Sequence, residues 1–217
     1  LCGVSGGRDS ICLLDYLHKL GQQRGFTVAA GHLNHLMRPT AQRDEDFVRA
    51  FCAQRGIPFY TESADVYGLC DAWELTVEET GRRARYDFLQ RTAAAIGAEK
   101  IATAHHRDDL AETVLLQLLR GTGPQGLTGI PPVRGNIVRP LLDTPRRDIE
   151  RYIEENELAY VTDETNSDLA YARNRLRLEI WPELERINPS ASAHIARTAD
   201  ILRRESAYLD ELAAGYL

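Results

Sequence analysis

Apolar and amphipathic segments alternate along the first two thirds of the chain. Short, nearly continuous apolar runs predict strands, and the longer segments between them have the 3.6-residue spacing of amphipathic helices. The predicted strands lie at residues 1–4, 26–35, 57–63, 99–106 and 137–142. Strands and helices that alternate at these lengths form right-handed βαβ units. The pattern therefore predicts an α/β fold with an open, parallel, five-stranded sheet and helices on both faces.

The alternation of strands and helices stops near residue 144. Beyond it, the apolar spacing predicts helices around a polar loop, one beginning near Pro145 and another ending near Pro182. We therefore expect an α/β domain over residues 1–144 and a helical extension over residues 145–217. The chain begins without a methionine, inside an apolar run, so we expect it to be part of a longer protein.

The composition is that of an ordinary globular protein, since 43% of the 217 residues are hydrophobic and 27% are charged. No apolar run reaches the length of about 18 residues that a membrane span needs, and no signal-peptide pattern opens the chain. The cysteines, Cys2, Cys12, Cys52 and Cys70, form no CxxC pair. This disfavours a zinc or iron–sulfur site and a disulfide framework, and the cytoplasm is the expected compartment.

The net charge of −6 disfavours a general nucleic-acid binder, but the positive charge is concentrated. Nearly all of it is arginine, in clusters at residues 82–85, 134–139, 146–147 and 173–177. Arginine suits forked contacts to phosphate. Each cluster is therefore either a solvated helix face or a phosphate contact.

The run SGGRDS, residues 5–10, lies between the first predicted strand and the first predicted helix. Its glycines allow a close backbone approach, and the N–H groups at a helix start attract anions. Asp9 would repel a phosphate unless a cation such as Mg²⁺ lay between them. The loop has neither the lysine of a Walker A motif nor a GxGxxG pattern. The alternative is a tight turn in which Asp9 or Ser10 caps the helix.

The run HHRDDLAET, residues 105–113, follows the fourth predicted strand. On a helix, Glu112 shares a face with Asp108 and with Asp109. Carboxylates in a first turn complement the helix dipole. Three carboxylates and two histidines exceed what capping needs, and they suit Mg²⁺ or an ammonium group.

Further polar residues follow the second predicted strand, where Asn34, His35 and Arg38 lie. In parallel sheets, ligands bind beyond the carboxyl ends of the strands, so these residues are candidates for contact with a nucleotide. Arg173 and Arg177 lie four residues apart, so they project side by side from a helix as a phosphate clamp or as ordinary surface.

Taken together, these residues resemble the PP-loop ATP pyrophosphatases, whose SGGxDS loop holds the pyrophosphate of ATP on a Rossmann-like, adenine-nucleotide α-hydrolase-like sheet. Within that superfamily, the chain is similar to the tRNA(Ile)-lysidine synthase family. The narrower resemblance rests mainly on the runs HHRDDLAET and ARNRLR, and it extends from Ser5 to Pro189.

The resemblance implies a two-step ligase reaction in tRNA modification. The C2 carbonyl oxygen of the wobble cytidine in the CAU anticodon of tRNA(Ile) attacks the α-phosphorus of ATP, and pyrophosphate leaves. The amine of L-lysine then attacks C2, and AMP leaves as lysidine forms. The implied cofactors are ATP and Mg²⁺, and the implied partners are tRNA(Ile), L-lysine and a second copy in a homodimer, with no membrane. Further C-terminal domains would help to bind the tRNA.

The resemblance also implies residue roles. The catalytic residues would be Asp9, Arg85, Asp109 and Glu112. The ATP-binding residues would be Ser5, Gly6, Gly7, Arg8, Asp9, Ser10, Asn34, His35, Arg38 and His105. Asp9 would bind Mg²⁺, and lysine would be held by Asp109 and Glu112. Contacts to tRNA or phosphate would come from Arg173, Asn174 and Arg177. Which of Asp108, Asp109 and Glu112 binds metal rather than lysine stays open.

Two alternatives remain at this point. Another PP-loop enzyme, such as a tRNA thiolase or a nitrogen-inserting synthetase, would need catalytic cysteines or a glutaminase partner. A non-catalytic adenine-nucleotide-binding module would not need acidic residues at positions 109 and 112.

Overall fold

Six short strands form one sheet among the residues that the computed structural model describes, which are 1–37, 40–162, 169 and 172–215. The strands are β1 (Cys2–Gly3), β2 (Ala30–Asn34), β3 (Phe59–Ser63), β4 (Ile101–Ala102), β5 (Val133–Arg134) and β6 (Ile137–Val138). Their order is β3-β2-β1-β4-β6-β5, and all neighbours are parallel except β5 and β6. The predicted α/β class with an open, largely parallel sheet is confirmed.

The sheet has one strand more than the five predicted. β5 and β6 form a hairpin in which Arg134 lies opposite Ile137, and Gly135 in the turn has a φ of +60°. Both residues of β5 are exposed and lie in a run rich in glycine and proline, so β5 lacks the apolar run that marks the other strands, and the pattern assigned it to a loop. The strand predicted to reach residue 142 ends at Val138, shortly before Pro140, which has no N–H for a sheet hydrogen bond.

The chain divides into two compact units whose segments interleave in sequence. The first unit contains Leu1–Ala104, Val133–Pro140 and Ile149–Thr162, and the second contains His105–Pro132, Leu141–Asp148 and Asp163–Leu217. All six strands belong to the first unit. The expected division of the chain at residue 144 stays a prediction.

The helices between strands of the first unit are α1 (Arg8–Arg24), α2 (Ala41–Arg55), α3 (Val66–Trp73) and α4 (Val77–Ile96). A capping box formed by Thr76 and Glu79 starts α4. Thr76 Oγ1 accepts a hydrogen bond from Glu79 N at 3.3 Å, and Glu79 Oε2 accepts one from Thr76 N at 3.1 Å. The local sequence alone therefore sets where α4 begins.

The core of the first unit includes the contact between α4 and the sheet. Leu89 of α4 packs in a buried cluster with Leu33 and Ile101. A Cβ on Gly3 or Gly31 would lie 3.0 or 2.9 Å from a methyl carbon of Leu89. Glycine at these two strand positions therefore allows α4 to pack closely on the sheet.

The second unit is helical among its described residues. It contains α5 (Arg107–Arg120), and α6 (Arg146–Glu155) contributes residues to both units. They are followed by α7 (Ala172–Arg175), α8 (Trp181–Ile187) and α9 (Ala191–Ala214). α5 packs against α9 through a buried apolar cluster. Within the described part of the chain, no helix combines the length and apolarity needed to cross a membrane.

The helix predicted to end near Pro182 continues past that residue. After α7, the π-helical turn Leu176–Ile180 leads into α8, which begins at Trp181 with Pro182 in its first turn. A proline is tolerated there because its missing N–H would have no partner within the helix. The irregular hydrogen bonding therefore lies before the proline, in the π-turn.

A buried carboxylate, Asp15 of α1, connects several parts of the first unit. Its oxygens accept hydrogen bonds from Tyr152 Oη at 2.9 Å and Arg55 Nε at 3.2 Å, and one lies 2.8 Å from Lys19 Nζ. Burial by itself would raise the pKa of Asp15. The contacts with Lys19, Tyr152 and Arg55 outweigh burial and hold that pKa below its ordinary value.

We expect Asp15→Asn to lower the free energy of unfolding at pH 7 by about 1–3 kcal/mol, because the positive partners lose a buried carboxylate. A carboxyl group with a lowered folded-state pKa stabilises the protein fully above its unfolded-state pKa of about 3.9. That stabilisation is lost as the pH falls through the folded-state pKa. Urea unfolding of both proteins at pH 7 and pH 3 should give a smaller difference at pH 3, and an equal difference would contradict the role of the charge.

Candidate functional site

The loop between β1 and α1 is held in shape by its own serines. Ser10 Oγ donates a hydrogen bond to Gly7 O at 2.8 Å and accepts one from Ser5 N at 3.2 Å. Gly7 N donates to Ser5 Oγ at 3.3 Å. Ser10 is buried, whereas Ser5 is exposed. The loop is therefore preformed, with Ser10 as an internal brace and Ser5 at the surface.

Gly6 has a conformation that glycine adopts most easily, with a φ of +90°. Its carbonyl oxygen accepts a hydrogen bond from Val161 N at 2.9 Å. A Cβ at this position would lie 3.3 Å from Val48 Cγ2 and 3.6 Å from Val161 Cγ2. Backbone conformation and packing both favour glycine here.

α1 begins directly after this loop with Gly7 as its N-cap, and no side chain caps its first turn. Asp9 and Ser10, the caps considered from the sequence, lie inside the helix instead. The first N–H groups of a helix have no carbonyl partner within it, and the helix dipole makes this end positive. The loop and the start of α1 together have the elements of an anion-binding site.

The two charged residues of the loop have different surroundings. Arg8 Nη1 donates a hydrogen bond to Glu150 Oε1 at 2.5 Å, and its guanidinium lies 5.8 Å from the ring centroid of Tyr160. Asp9 is half-buried in the first turn of α1, with Oδ1 3.9 Å from Arg8 Nε. Arg8 thus connects the loop to α6, and an ATP contact from Arg8 stays a prediction.

Asn34 is buried at the end of β2 and makes two hydrogen bonds within the protein. Its Nδ2 donates to Glu45 Oε2 at 3.2 Å, and its Oδ1 accepts from Leu36 N at 3.1 Å. Leu36 has a φ of +52°, which is uncommon for a non-glycine residue. Asn34 therefore stabilises the turn after β2, and its contact with ATP stays a prediction.

For the other candidate site residues of the first unit, the structure gives fewer contacts from which a role can be argued. His35 lies beside the start of α4, where a Cβ on Gly81 would be 3.6 Å from its ring. Arg85 is exposed on α4. Arg38 lies outside the described residues. The roles expected for all three stay predictions.

We expect Gly6→Ala to weaken ATP binding about tenfold or more, because a positive φ costs other residues about 1–3 kcal/mol and the new methyl group would crowd Val48. Isothermal titration calorimetry measures the affinity. Gly135→Ala is the matched control, since Gly135 also has a positive φ but a methyl group there would meet no atom within 4 Å. Equal affinities of the two variants would contradict a role for the loop in binding ATP.

In the second unit, α5 begins on the buried residue His106 as its N-cap. Nδ1 of the ring accepts hydrogen bonds from Asp108 N at 3.2 Å and Asp109 N at 3.4 Å, and His106 N donates to Asp109 Oδ2 at 3.1 Å. His106 therefore has a structural role, and His105 lies half-buried next to it.

Asp108 joins the starts of two other helices. Its Oδ2 accepts a hydrogen bond from Arg146 N in the first turn of α6, at 3.0 Å. Its Oδ1 accepts a short hydrogen bond from Ser192 Oγ at the start of α9. Both oxygens thus have structural donors, which distinguishes Asp108 from the other two carboxylates of α5.

Asp109 and Glu112 share the guanidinium of Arg177. Arg177 Nε and Nη2 donate to the two oxygens of Glu112 at 2.7 and 2.8 Å, and Nη2 also donates to Asp109 Oδ1 at 3.0 Å. Arg173 lies next to this group, with Nη2 3.0 Å from Thr113 Oγ1 and Nε 3.9 Å from Glu112 Oε2. The two carboxylates therefore form a site that holds a cation through forked hydrogen bonds.

The two carboxyl groups differ in their preference for the charged form. Burial opposes ionisation of Asp109, but His106, with help from His105 and Arg177, holds its pKa below the ordinary value. Burial raises the pKa of Glu112 above the ordinary value, although Arg177 opposes it. Neighbouring carboxyl groups shifted in opposite directions suit different roles, one keeping its charge and the other exchanging a proton.

The pairing of Arg177 with α5 was not predicted from the sequence. Arg177 and Asn174 were expected to contact tRNA or phosphate, and Asn174 is half-buried in α7. The only sequence signal for the pairing was that basic and acidic residues each share a helix face, since Arg177 and Glu112 lie 65 residues apart. No group of three or more His, Cys, Asp or Glu side chains in the described ranges is arranged to hold a metal ion.

The sheet of the first unit, with a glycine loop between β1 and α1 that has the elements of an anion-binding site, defines an α/β protein of the open-sheet class. A family model described as a PP-loop domain matches residues 1–184. The chain belongs to this PP-loop family, and membership implies the use of ATP.

Two of its relatives are named tRNA(Ile)-lysidine synthase. The protein of Petrotoga mobilis is 43% identical over 202 residues, which cover 93% of this chain and 65% of that protein. The protein of Geobacter sulfurreducens is 44% identical over 212 residues, which cover 96% of this chain and 45% of that protein. The chain therefore spans less than two thirds of the length of these relatives.

Among solved structures, the U34-tRNA thiolase NcsA from Methanococcus maripaludis superposes with a TM-score of 0.78. The alignment covers 93% of this chain and 71% of that chain, at 20% identity. At this identity the likeness shows a common fold.

Proposed function

We propose that the chain ligates L-lysine to C2 of the wobble cytidine of tRNA(Ile) with a CAU anticodon, in the cytoplasm. ATP first adenylates the base and releases pyrophosphate, and lysine then displaces AMP to give lysidine. The names of relatives that match 93% and 96% of the chain support this function. The observation that carries it is the pair of carboxylates on α5 that is arranged to hold a cation.

The adenylation step is assigned to the loop between β1 and α1. The N–H groups at the start of α1 and the hydroxyl of Ser5 would bind the phosphates of ATP and stabilise the leaving pyrophosphate. Asp9 is the acidic residue in the first turn of α1. Magnesium commonly binds one or two carboxylates together with phosphates and water, so a single aspartate at a phosphate site fits this ion. Bound Mg²⁺ would neutralise part of the charge on the leaving group.

The ligation step is assigned to Asp109 and Glu112. Asp109, whose pKa is lowered, would keep its charge and hold an ammonium group of lysine. Glu112, whose pKa is raised, is the better proton acceptor of the pair. A lysine amine has a pKa of about 10.4 in water, so it must lose a proton before it attacks C2. A carboxylate at the site would accept that proton.

Arg177 already occupies the position that this proposal gives to a lysine ammonium group. For lysine to reach both carboxylates, the guanidinium has to give up at least part of its hydrogen bonds to Glu112. Arg177 lies in the π-helical turn Leu176–Ile180, and such turns are frequent at functional sites. Arg177 would therefore keep the two carboxylates hydrogen-bonded and offset their mutual repulsion until lysine binds.

The side-chain environments disfavour the alternatives. Cys2, Cys12 and Cys52 are buried, and burial raises the pKa of Cys2 and Cys12 to about 12 and that of Cys52 to about 11. These three thiols are poor nucleophiles, and the fourth cysteine, Cys70, is half-buried and forms no CxxC pair, which argues against sulfur transfer. A non-catalytic nucleotide-binding module would not need acidic residues at positions 109 and 112.

The test is incorporation of radiolabelled lysine into a tRNA(Ile) transcript with a CAU anticodon. We expect incorporation that requires ATP, and exchange of pyrophosphate into ATP only when tRNA is present. A transcript with a GAU anticodon is the control, because it has no wobble cytidine. Absence of label from the CAU transcript, with ATP binding intact, would contradict the proposed function. Sedimentation of the same sample tests the homodimer, which stays a prediction.

A further inference from the structure

Two arginines from different elements of the first unit contact the same aromatic ring. The guanidinium carbons of Arg82 and Arg134 lie 5.1 and 5.3 Å from the ring centroid of Tyr86. Arg82 and Tyr86 belong to α4, and Arg134 belongs to β5 at the edge of the sheet. Both arginines are exposed and Tyr86 is half-buried. We call this group the Arg82–Tyr86–Arg134 cluster.

The cluster carries positive charge that acidic side chains do not neutralise. Arg8, Arg49 and Arg55 of the same unit each form an ion pair with a glutamate or aspartate. Among the described residues, no carboxylate lies within ion-pair distance of Arg82 or Arg134. Two positive charges held against one ring repel each other, and an anion above them would relieve that repulsion. In a chain with a net charge of −6, this is a distinct positive surface.

Hydrogen bonds hold the β5–β6 hairpin against α4, so the positions of the cluster residues relative to one another are fixed by the fold. Gln90 of α4 and Asn136 in the β5–β6 turn exchange two side-chain hydrogen bonds, of 2.9 and 3.0 Å. A second stacked pair lies between α4 and α3, where the Arg83 guanidinium is 4.4 Å from the ring of Trp73, and Arg83 Nε also lies 3.9 Å from Asp87 Oδ2. Contacts between arginine and aromatic side chains therefore connect α4 with β5 and with α3.

We propose that the Arg82–Tyr86–Arg134 cluster is a docking surface for the phosphate backbone of RNA. Arginine forks match phosphate oxygens, and arginine–aromatic stacks accept bases without regard to sequence. The two guanidinium groups of the cluster come from two elements, α4 and β5, so they can contact more than one phosphate of a backbone. The proposal rests on the proposed function only in naming the RNA as tRNA(Ile), and its binding test does not require ligase activity.

The test compares two double variants that carry the same net charge. Arg82→Gln with Arg134→Gln removes the cluster charges, and Arg24→Gln with Arg120→Gln removes two exposed arginines elsewhere. The probe is a fluorescein-labelled anticodon stem-loop RNA of tRNA(Ile), with binding followed by anisotropy from about 0.05 to 0.2 M salt. For the cluster variant we expect about tenfold weaker binding and a salt slope reduced by about 2, because each lost phosphate contact removes about one unit. The control should keep the slope of the unchanged protein.

Arg82→Lys with Arg134→Lys keeps the charges, so it should retain most of the salt slope. Thermal unfolding of each variant verifies that the fold is kept. Equal RNA binding by the cluster variant and the control would overturn the proposal. Loss of ATP affinity with unchanged RNA binding would overturn it too, because the cluster would then hold a nucleotide. Failure of lysine incorporation with an intact salt slope would contradict the proposed function and leave the docking surface supported.

Discussion

Glu112→Gln is expected to lower kcat/KM for lysine about a hundredfold or more while tRNA-dependent pyrophosphate exchange continues. The substitution keeps the size of the side chain but removes the charge that accepts two hydrogen bonds from Arg177. It also removes the proton acceptor of the ligation step. Losing one partner of a buried charge pair costs about 2–5 kcal/mol, and each 1.36 kcal/mol is about tenfold in rate. Initial rates of lysine incorporation over a range of lysine concentrations measure the effect.

The matched control for this prediction is Glu179→Gln. It removes the same charge from an exposed ion pair with Arg175, whose Nε lies 3.1 Å from Glu179 Oε2. The control should have the lysine kinetics of the unchanged protein. The raised pKa of Glu112 also predicts that lysine incorporation increases with pH as this group ionises, and that the glutamine variant lacks this increase. Unaltered lysine kinetics in Glu112→Gln would remove Glu112 from the lysine site.

Asp9→Ala is expected to abolish pyrophosphate exchange, with a loss of about a thousandfold or more. Asp9 lies in the first turn of α1, where a carboxylate beside bound phosphates is useful only with a cation between them. Without that carboxylate, the charge developing on pyrophosphate would be stabilised less, and about 4 kcal/mol of such stabilisation equals a thousandfold in rate. The assay is exchange of labelled pyrophosphate into ATP with saturating tRNA, repeated over a series of Mg²⁺ concentrations.

The control for Asp9→Ala is Asp46→Ala, which removes an exposed carboxylate from α2. Its exchange rate should stay within about twofold of the unchanged protein, in line with the small effects of most surface substitutions. Recovery of Asp9→Ala at high Mg²⁺ would show that the aspartate contributes affinity for the ion. An exchange rate for Asp9→Ala equal to that of Asp46→Ala would falsify the role of Asp9.

Much of the fold was predictable because the sequence features that start and end its helices are local. The box formed by Thr76 and Glu79 starts α4, and Gly25 and Gly56, with φ of +78° and +65°, end α1 and α2. These signals depend on residues within one or two turns. β5 gave no such signal because both of its residues are exposed and lie in a segment rich in glycine and proline.

The candidate site was predictable to a smaller extent. The anion-binding loop is contiguous in sequence, so its residues could be identified before the structure was known. The structural roles of Asp108 and Arg8 could not, because their partners, Ser192 and Glu150, lie 84 and 142 residues away. The sequence shows the chemistry of a side chain, but it does not show which distant residue that side chain contacts in the folded protein.

The sequence by itself determined the alternation of strands and helices, the glycine loop before α1 and the acidic start of α5, because each depends on contiguous residues. Only the tertiary structure decided which charges meet. In the folded chain, Arg177 pairs with Asp109 and Glu112. Asp108 accepts hydrogen bonds at the starts of two helices. Arg82 and Arg134 contact the ring of Tyr86 and have no acidic partner among the described residues. The physical reason is that ion pairing acts over a few ångströms in space, and the folded chain alone sets which residues come that close.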